Sequence, residues 1–406
     1  MIKAITAYTT EMDDKSVAAA EIMSHIETQG PLLSNSFGFV SCVPEFIQGD
    51  VLAAIAEALP FDIIGTTTIA TLAPGVENAE WALTLLILTS DDVTFIPGLT
   101  EPLTGENPVP VSDAYAIAEQ KAAAAGVPAG TKPAFIIDYS PLLIAAGGDF
   151  LVKSMSDAAG ESVPVFGMQI VDNTVDYKES RAIYGADTYE DRVAFVLVYG
   201  DVKPKFYIAT LDTEHMFRDK GVITGVSGNC IHTINDIPAI DYLASLGIEK
   251  DEEGNIPGIN TYPFIANLGD GMEPIVRILF AVTPDGDVVC GGDLPKGSVI
   301  SVGSIDTNGI VESTSQRLDE ILTGEKPDAL LIFSCVGRYI VMGYEHNREM
   351  AAVLEKLTGS DVPYTFTYAG GEMCPVHPSS AAETSIAGDK LFANRFHNLT
   401  FVALAL

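Results

Sequence analysis

The sequence predicts an α+β protein of mixed, largely antiparallel β-sheets flanked by helices, built from repeated βαββ-like units in two domains. Two observations carry this. The run "SFGFVSCVPEF" at 36–46 returns as "ALLIFSCVGRY" at 329–339, each a hydrophobic strand that stops on Ser-Cys-Val before a helix-like stretch. A third segment, "KPAFIIDYS" at 132–140, follows the same plan with Asp-Tyr-Ser in place of the triplet. A length of 406 residues exceeds what one hydrophobic core usually serves. With 47% hydrophobic and 19% charged residues, the chain has the composition of a folded protein.

The elements follow in order. The first unit reads as an apolar strand, a turn, an amphipathic helix and a strand closing on Gly65 in "IIGTTTIA". The second has a strand at 134–138, a helix through Leu151 and Met155, and a strand at 163–167. In the third, Met350, Val353, Leu354 and Leu357 recur at i, i+3, i+4 and i+7, which predicts a helix over 347–357 before a strand ending at Gly370. A further strand follows each unit, in "WALTLLILTSDDVTF", "RVAFVLVYGDVKPKF" and "NLTFVALAL". Between the second and third units, roughly 212–327 reads as an insertion-rich segment. Within it Asp285-Gly286, between two strand-like runs, signals a short hairpin. The domain division is expected near residue 210, giving 1–210 and 211–406.

Charge narrows the partners. There are 55 acidic residues against 22 basic, a net charge of −33, and no Lys/Arg cluster. Such a field repels phosphate backbones and anionic lipid surfaces, so nucleic acid is not an expected partner. The opening "MIKAITAYTT" lacks a basic region followed by an apolar core. The longest apolar runs, 81–89 and 401–406, are too short to span a bilayer. The expected location is therefore the cytoplasm, without membrane insertion. Five scattered cysteines without Cys-x-x-Cys fit reduced thiols.

Several residue groups compete for function. A cysteine nucleophile needs a nearby cation, histidine or helix N-terminus. Cys335 has Arg338 and His346 downstream, whereas Cys42 has neither and reads as a packing residue. Cys230-x-His232 and Cys374-x-x-His377 each offer two metal donors, short of the usual four, or three plus water, so no metal site is expected. His215, His346 and His397 stand isolated. The Gly-Gly turns in "AAGGDF", "VCGGDLPKG" and "YAGGEM" match no phosphate-binding fingerprint, and no cofactor is expected. The C-terminal third is richer, with Arg338, Glu345, Glu372 and Asn398. The βαββ plan brings Arg338 and Glu372 to one sheet end, where a crevice is expected. Together they would suit a zwitterion, guanidinium to carboxylate and Glu372 to ammonium, or else form a bridge tying the two loops.

These residues also resemble a known family. "GVSGNCIHTINDIPAIDYL", "YPF", "VR", the "DG…GGDLPKG" hairpin, "SCVGR", "GGEMCPV" and "FHNLTF" are similar to the C-terminal domain of the FIST proteins. Residues 35–210 resemble the companion N-terminal domain, with "IIGTTTIA" replacing the usual Gly-Cys turn. The resemblance implies a sensory, ligand-binding module of signal transduction whose proposed ligands are small molecules such as amino acids. Motif positions carried over are Asn229, Arg277, Cys335, Gly337, Arg338, Glu372 and Asn398. The family brings no established catalytic residue. Three readings follow. The first is a cytoplasmic sensor binding a small polar, amino-acid-like metabolite and signalling to a partner protein. The second is an interaction scaffold. The third is a hydrolase or acyl-transfer enzyme using Cys335.

Overall fold

A computed structural model describes residues 2–142, 146–174, 176–210, 216–379 and 392–406. The first unit runs β1 (Ile2–Thr9), α1 (Lys15–Thr28), β2 (Asn35–Cys42), α2 (Glu45–Gln48), α3 (Val51–Ala58), β3 (Ile63–Thr67), β4 (Thr71–Leu72) and β5 (Leu83–Ser90). The second repeats the plan with β6 (Thr94–Leu99), α4 (Val109–Ala124), β7 (Phe135–Ser140), α5 (Gly148–Ala159), β8 (Val165–Gln169), β9 (Ala182–Tyr184), β10 (Asp187–Tyr189) and β11 (Ala194–Tyr199).

The third unit opens with β12 (Lys205–Ala209) and is interrupted by an inserted lobe. The lobe holds β13 (Met216–Ser227), β14 (Cys230–Ile234), β15 (Ile237–Pro238), α6 (Ala239–Ser245), β16 (Phe264–Asn267), β17 (Ile275–Arg277), β18 (Leu279–Val282), β19 (Val288–Cys290) and β20 (Val299–Gly303). The unit then resumes with α7 (Thr307–Thr323), β21 (Leu330–Cys335), α8 (Val336–Met342), α9 (Asn347–Leu357), β22 (Tyr364–Ala369), β23 (Glu372–Val376), β24 (Ala393–His397) and β25 (Phe401–Ala405).

Each unit is thus longer than the βαββ plan, because a strand and a helix precede it. "LTLLILTSDDVTF" reads as one strand in sequence, yet β5 ends at Ser90 and β6 begins in another sheet. The break is chemical: Asp91 and Asp92 form a polar turn, Asp91 holding the Ser34 amide and hydroxyl. A similar break separates β11 from β12, where Gly200 has φ +141°. The Asp285-Gly286 hairpin forms as expected between β18 and β19, with Gly286 at φ +91°.

Among the described residues, the core sheets run β1-β5-β2-β3-β9-β10, β24-β23-β8-β7-β11-β6 and β12-β25-β21-β22-β4. Each contains one parallel pair from its own unit: β2 with β3, β7 with β8, β21 with β22. Each is then completed by a strand from a different unit. β4 crosses to the third unit's sheet, β9 to the first and β23 to the second. The exchange is cyclic, so no unit can complete its own sheet.

Strand alternation gives every sheet two apolar faces. The inner faces meet in one shared core, including Phe39, Leu86, Phe135, Tyr139, Phe166, Phe333 and Val402. Phe333 sits between units, stacked on Phe166 at 5.1 Å and edge-on to Tyr139 at 5.9 Å. The outer faces are covered by α1 and α3, by α4 and α5, and by α7 and α9. Helix α1 starts at Asp14, whose carboxylate accepts from the Ser16 and Val17 amides, and buries Ala18, Ile22 and Ile26 at fourfold spacing. The parallel pairs approach closely at equivalent positions. A Cβ on Gly65 would lie 1.8 Å from the Val40 carbonyl oxygen, and one on Gly167 would lie 2.2 Å from that of Asp138.

Two outcomes are expected from this interleaving. A chain ending at Thr210 lacks β23, β24 and the Phe333 wall of the core, so it should give no cooperative urea transition by circular dichroism. Phe333→Ala in the full chain should cost about 3–5 kcal/mol in the same measurement.

Candidate functional site

The parallel strands of all three units end together, at Cys42 and Thr67, at Ser140 and Gln169, and at Cys335 and Ala369. Here each chain crosses to its neighbour's sheet, and backbone groups stitch the units together. The Thr68 hydroxyl donates to the Tyr368 carbonyl at 2.9 Å, and the Gly370 amide donates to that of Gln169 at 2.8 Å. Carboxyl ends of parallel strands are the usual place for a ligand crevice.

Cys335 ends β21 and caps α8, so the next turn points Arg338 inward. Arg338 is buried, and its Nε and Nη2 reach Glu349 at 2.9 and 2.8 Å. Nη2 also donates to Thr314 Oγ1 at 2.6 Å and to the Ile310 carbonyl at 3.0 Å. Glu349, buried as well, further accepts from Ser334, Thr314 and Tyr368. The carboxylate that takes Arg338 is therefore Glu349 on α9, whereas the sequence reading placed Glu372 opposite it. Arg338 and Glu349 tie α7, α8, α9 and two strands with every charged group satisfied. Glu349 had a sequence signal: with Val353 and Leu357 it forms an i, i+4, i+8 row on the buried face of a helix. Glu345 is exposed and pairs with Arg348.

Glu372, the first residue of β23, is also buried, and Thr400 Oγ1 donates to its Oε2 at 2.7 Å. Burial pushes its carboxyl well above the usual range; the Thr400 hydrogen bond and the Arg338 charge offset this only in part. The neighbouring Cys335 thiol is pushed up by burial and then by Glu372. A thiol so placed is held away from the thiolate form that a nucleophile needs. His397 lies opposite Glu372 in the β23–β24 register, and burial pulls its imidazole down to about 3, so the ring is neutral. Among the described residues, Glu372 Oε1, His397 Nδ1 and Asn398 Oδ1 are buried without a geometric hydrogen-bond partner. The turn that carries His397 and Asn398 is strained, with Leu399 at φ +54°. Gly337 lets α8 lie against this turn, since a Cβ there would be 2.8 Å from Leu399 Cδ2.

The other carried-over positions lie apart from this group. Arg277, fully buried at the end of β17, donates to Asp149 Oδ1 at 2.6 Å and to the Phe396 carbonyl at 2.7 Å. It clamps the lobe onto α5 and β24, and Gly292 packs beside it, where a Cβ would be 2.8 Å from Arg277 Nε. Asn229 lies within the lobe, its amide donating to the Cys290 carbonyl at 2.9 Å. Cys374 faces the shared core, so it does not join Cys230 and His232. His346 is half-buried and pairs with Glu80 at 3.1 Å, and His215 lies outside the described residues.

The protein is an interleaved α+β body with an inserted lobe and a buried polar cluster at its strand ends. The chain belongs to the FIST family: a FIST N domain matches residues 36–237 and a FIST C domain matches residues 239–375. FIST domains are sensory, signal-transduction domains suggested to bind small ligands. No curated protein matches the chain. Among solved structures, cyanuric acid hydrolase from A. caulinodans is 12% identical with a TM-score of 0.36, over 100% of this chain and 99% of that one. T. maritima PurL complexed with ATP is 10% identical with a TM-score of 0.18, over 99% of this chain and 70% of that one. Among the described residues, no helix is long and apolar enough to cross a membrane.

Two measurements check these assignments. Glu349→Ala should strand the Arg338 charge and destabilise the protein by about 3–5 kcal/mol in denaturant titration. Iodoacetamide at neutral pH should label half-exposed Cys230 first, and should label Cys335 only once the protein is unfolded.

Proposed function

We propose that this FIST protein is a cytoplasmic sensor that binds a small, amine-bearing, amino-acid-like metabolite beside Glu372, His397 and Asn398. The observation that carries the reading is the trio of buried, unpartnered atoms: Glu372 Oε1, His397 Nδ1 and Asn398 Oδ1. Buried polar groups in folded proteins normally have partners, and an unpaired one costs about 1–3 kcal/mol. A ligand ammonium beside Glu372 would supply a donor to Oε1 and give the carboxyl a reason to ionise. Cys335 and Gly337 shape the wall beside it, and Arg338 positions that wall from behind through Glu349. Arg277 and Asn229 serve the lobe, not the ligand.

The signal is a population shift. Asn398 lies against Gly291 of the lobe, where a Cβ would be 2.5 Å from its Oδ1. Filling the site therefore changes how the lobe rests on the core, and a partner protein reads that change. The parts on either side of residue 210 are joined directly, β12 pairing with β25. The enzymatic reading has less support, since burial and Glu372 both hold the Cys335 thiol in its neutral form.

A thermal-shift screen should find amines, amino acids first, that raise the melting temperature of the wild-type protein. Glu372→Gln and Asn398→Ala should each remove most of that shift. Binding should release a proton from Glu372, seen by calorimetry in buffers of different ionisation enthalpy. A hit whose shift survives both substitutions, or no hit at all, would sink the assignment.

A further inference from the structure

We propose that the inserted lobe binds one divalent transition-metal ion of the zinc type through Cys230, His232 and Asp287. Cys230 and His232 are two apart on β14 and so share a face. The pairing of Cys230 with Val289 and Ile231 with Val288, continued one step, sets Asp287 opposite His232. The three donor atoms lie within 4.8 Å of one another. His232 Nδ1 is 2.9 Å from Asp287 Oδ2, and Cys230 Sγ is 3.8 Å from the same oxygen.

A tetrahedral zinc ion with bonds of about 2.0–2.3 Å separates its donors by about 3.3–3.8 Å, so small side-chain rotations suffice to seat one. Thiolate, imidazole and carboxylate together select a borderline transition ion over magnesium or calcium. The other ring nitrogen, Nε2, lies 2.9 Å from Ser227 Oγ, a hydrogen bond that orients the imidazole with Nδ1 toward the cluster. His232 and Asp287 are 38% and 23% exposed, which leaves room for water as the fourth ligand. The strands beneath are fixed, because Asn229 holds the Cys290 carbonyl and Gly228 turns at φ +59°.

Binding forms a metal–sulfur bond and sends the Cys230 thiol proton to solvent, so affinity rises with pH. The ion would join the β13–β14 hairpin to the β18–β19 hairpin. The latter leads directly into Gly291 and Gly292, which pack on Asn398, Asp149 and Arg277. Metal occupancy would thus stiffen the edge of the lobe that meets the core.

The test is a cobalt titration of the chelator-stripped full chain. One equivalent of Co²⁺ should produce a thiolate-to-cobalt charge-transfer band, and Zn²⁺ should displace it. Cys230→Ser should abolish the band, and His232→Ala or Asp287→Asn should weaken affinity at least ten-fold. Asp285→Asn, on the same hairpin but outside the cluster, should change nothing. In the unaltered protein, Zn²⁺ should also protect Cys230 from iodoacetamide. Cobalt bound without the band, or bound equally by Cys230→Ser, would mean that the ion sits only on the acidic surface, and the proposal would fall.

Discussion

The structure depends on the cyclic exchange of β4, β9 and β23. A sheet edge with unpaired amides and carbonyls is unstable when buried, and each unit covers one edge with a strand lent by a neighbour. The three inner faces then enclose a single apolar core, and the outer faces are left to the helices. Because each crossing occurs where parallel strands end, the same constraint concentrates backbone turns and buried hydroxyls there. The place where the units are joined is also the place where polar chemistry gathers.

Two of the buried carboxylates at that end, Glu349 and Glu372, have opposite fates. Glu349 accepts four donors and balances Arg338, so the pair is fully hydrogen-bonded inside the protein. Glu372 accepts from the Thr400 hydroxyl, and the Thr400 amide and the Cys335 thiol also stabilise its charge, yet burial favours its neutral form. The first arrangement is complete and structural. The second is incomplete, together with His397 and Asn398, and incompleteness in a buried site is what a ligand can remedy.

The lobe is a distinct part of the fold. Its own core is built around Ile231, Phe264, Leu279 and Val302, and it meets the rest through Arg277, the Gly291–Gly292 turn, the bridge of Met272 with Pro378, and the packing of Ile265, Val276 and Ile278 on Ile310, Met342 and Leu399. An ion at Cys230, His232 and Asp287 and a small molecule at Glu372 would act on the two sides of that contact.

The sequence by itself determined the fold class, the central strand–helix–strand order of each unit and the α9 stripe, because these follow from local periodicity; the strand and helix that precede each unit were not read from it. It also held the insertion and its Asp285-Gly286 hairpin, since Gly at a left-handed turn is a local demand. Arg338, Glu345, Glu372 and Asn398 were legible as one cluster; in the structure Arg338 pairs with Glu349, Glu345 is exposed beside Arg348, and Glu372 and Asn398 are buried. Only the tertiary structure decided which carboxylate faces Arg338, which unit completes which sheet, and that Asp287 joins Cys230 and His232. Those outcomes depend on strands and helices far apart in the chain, and a residue's spacing along the chain carries no information about which neighbour's sheet it will enter.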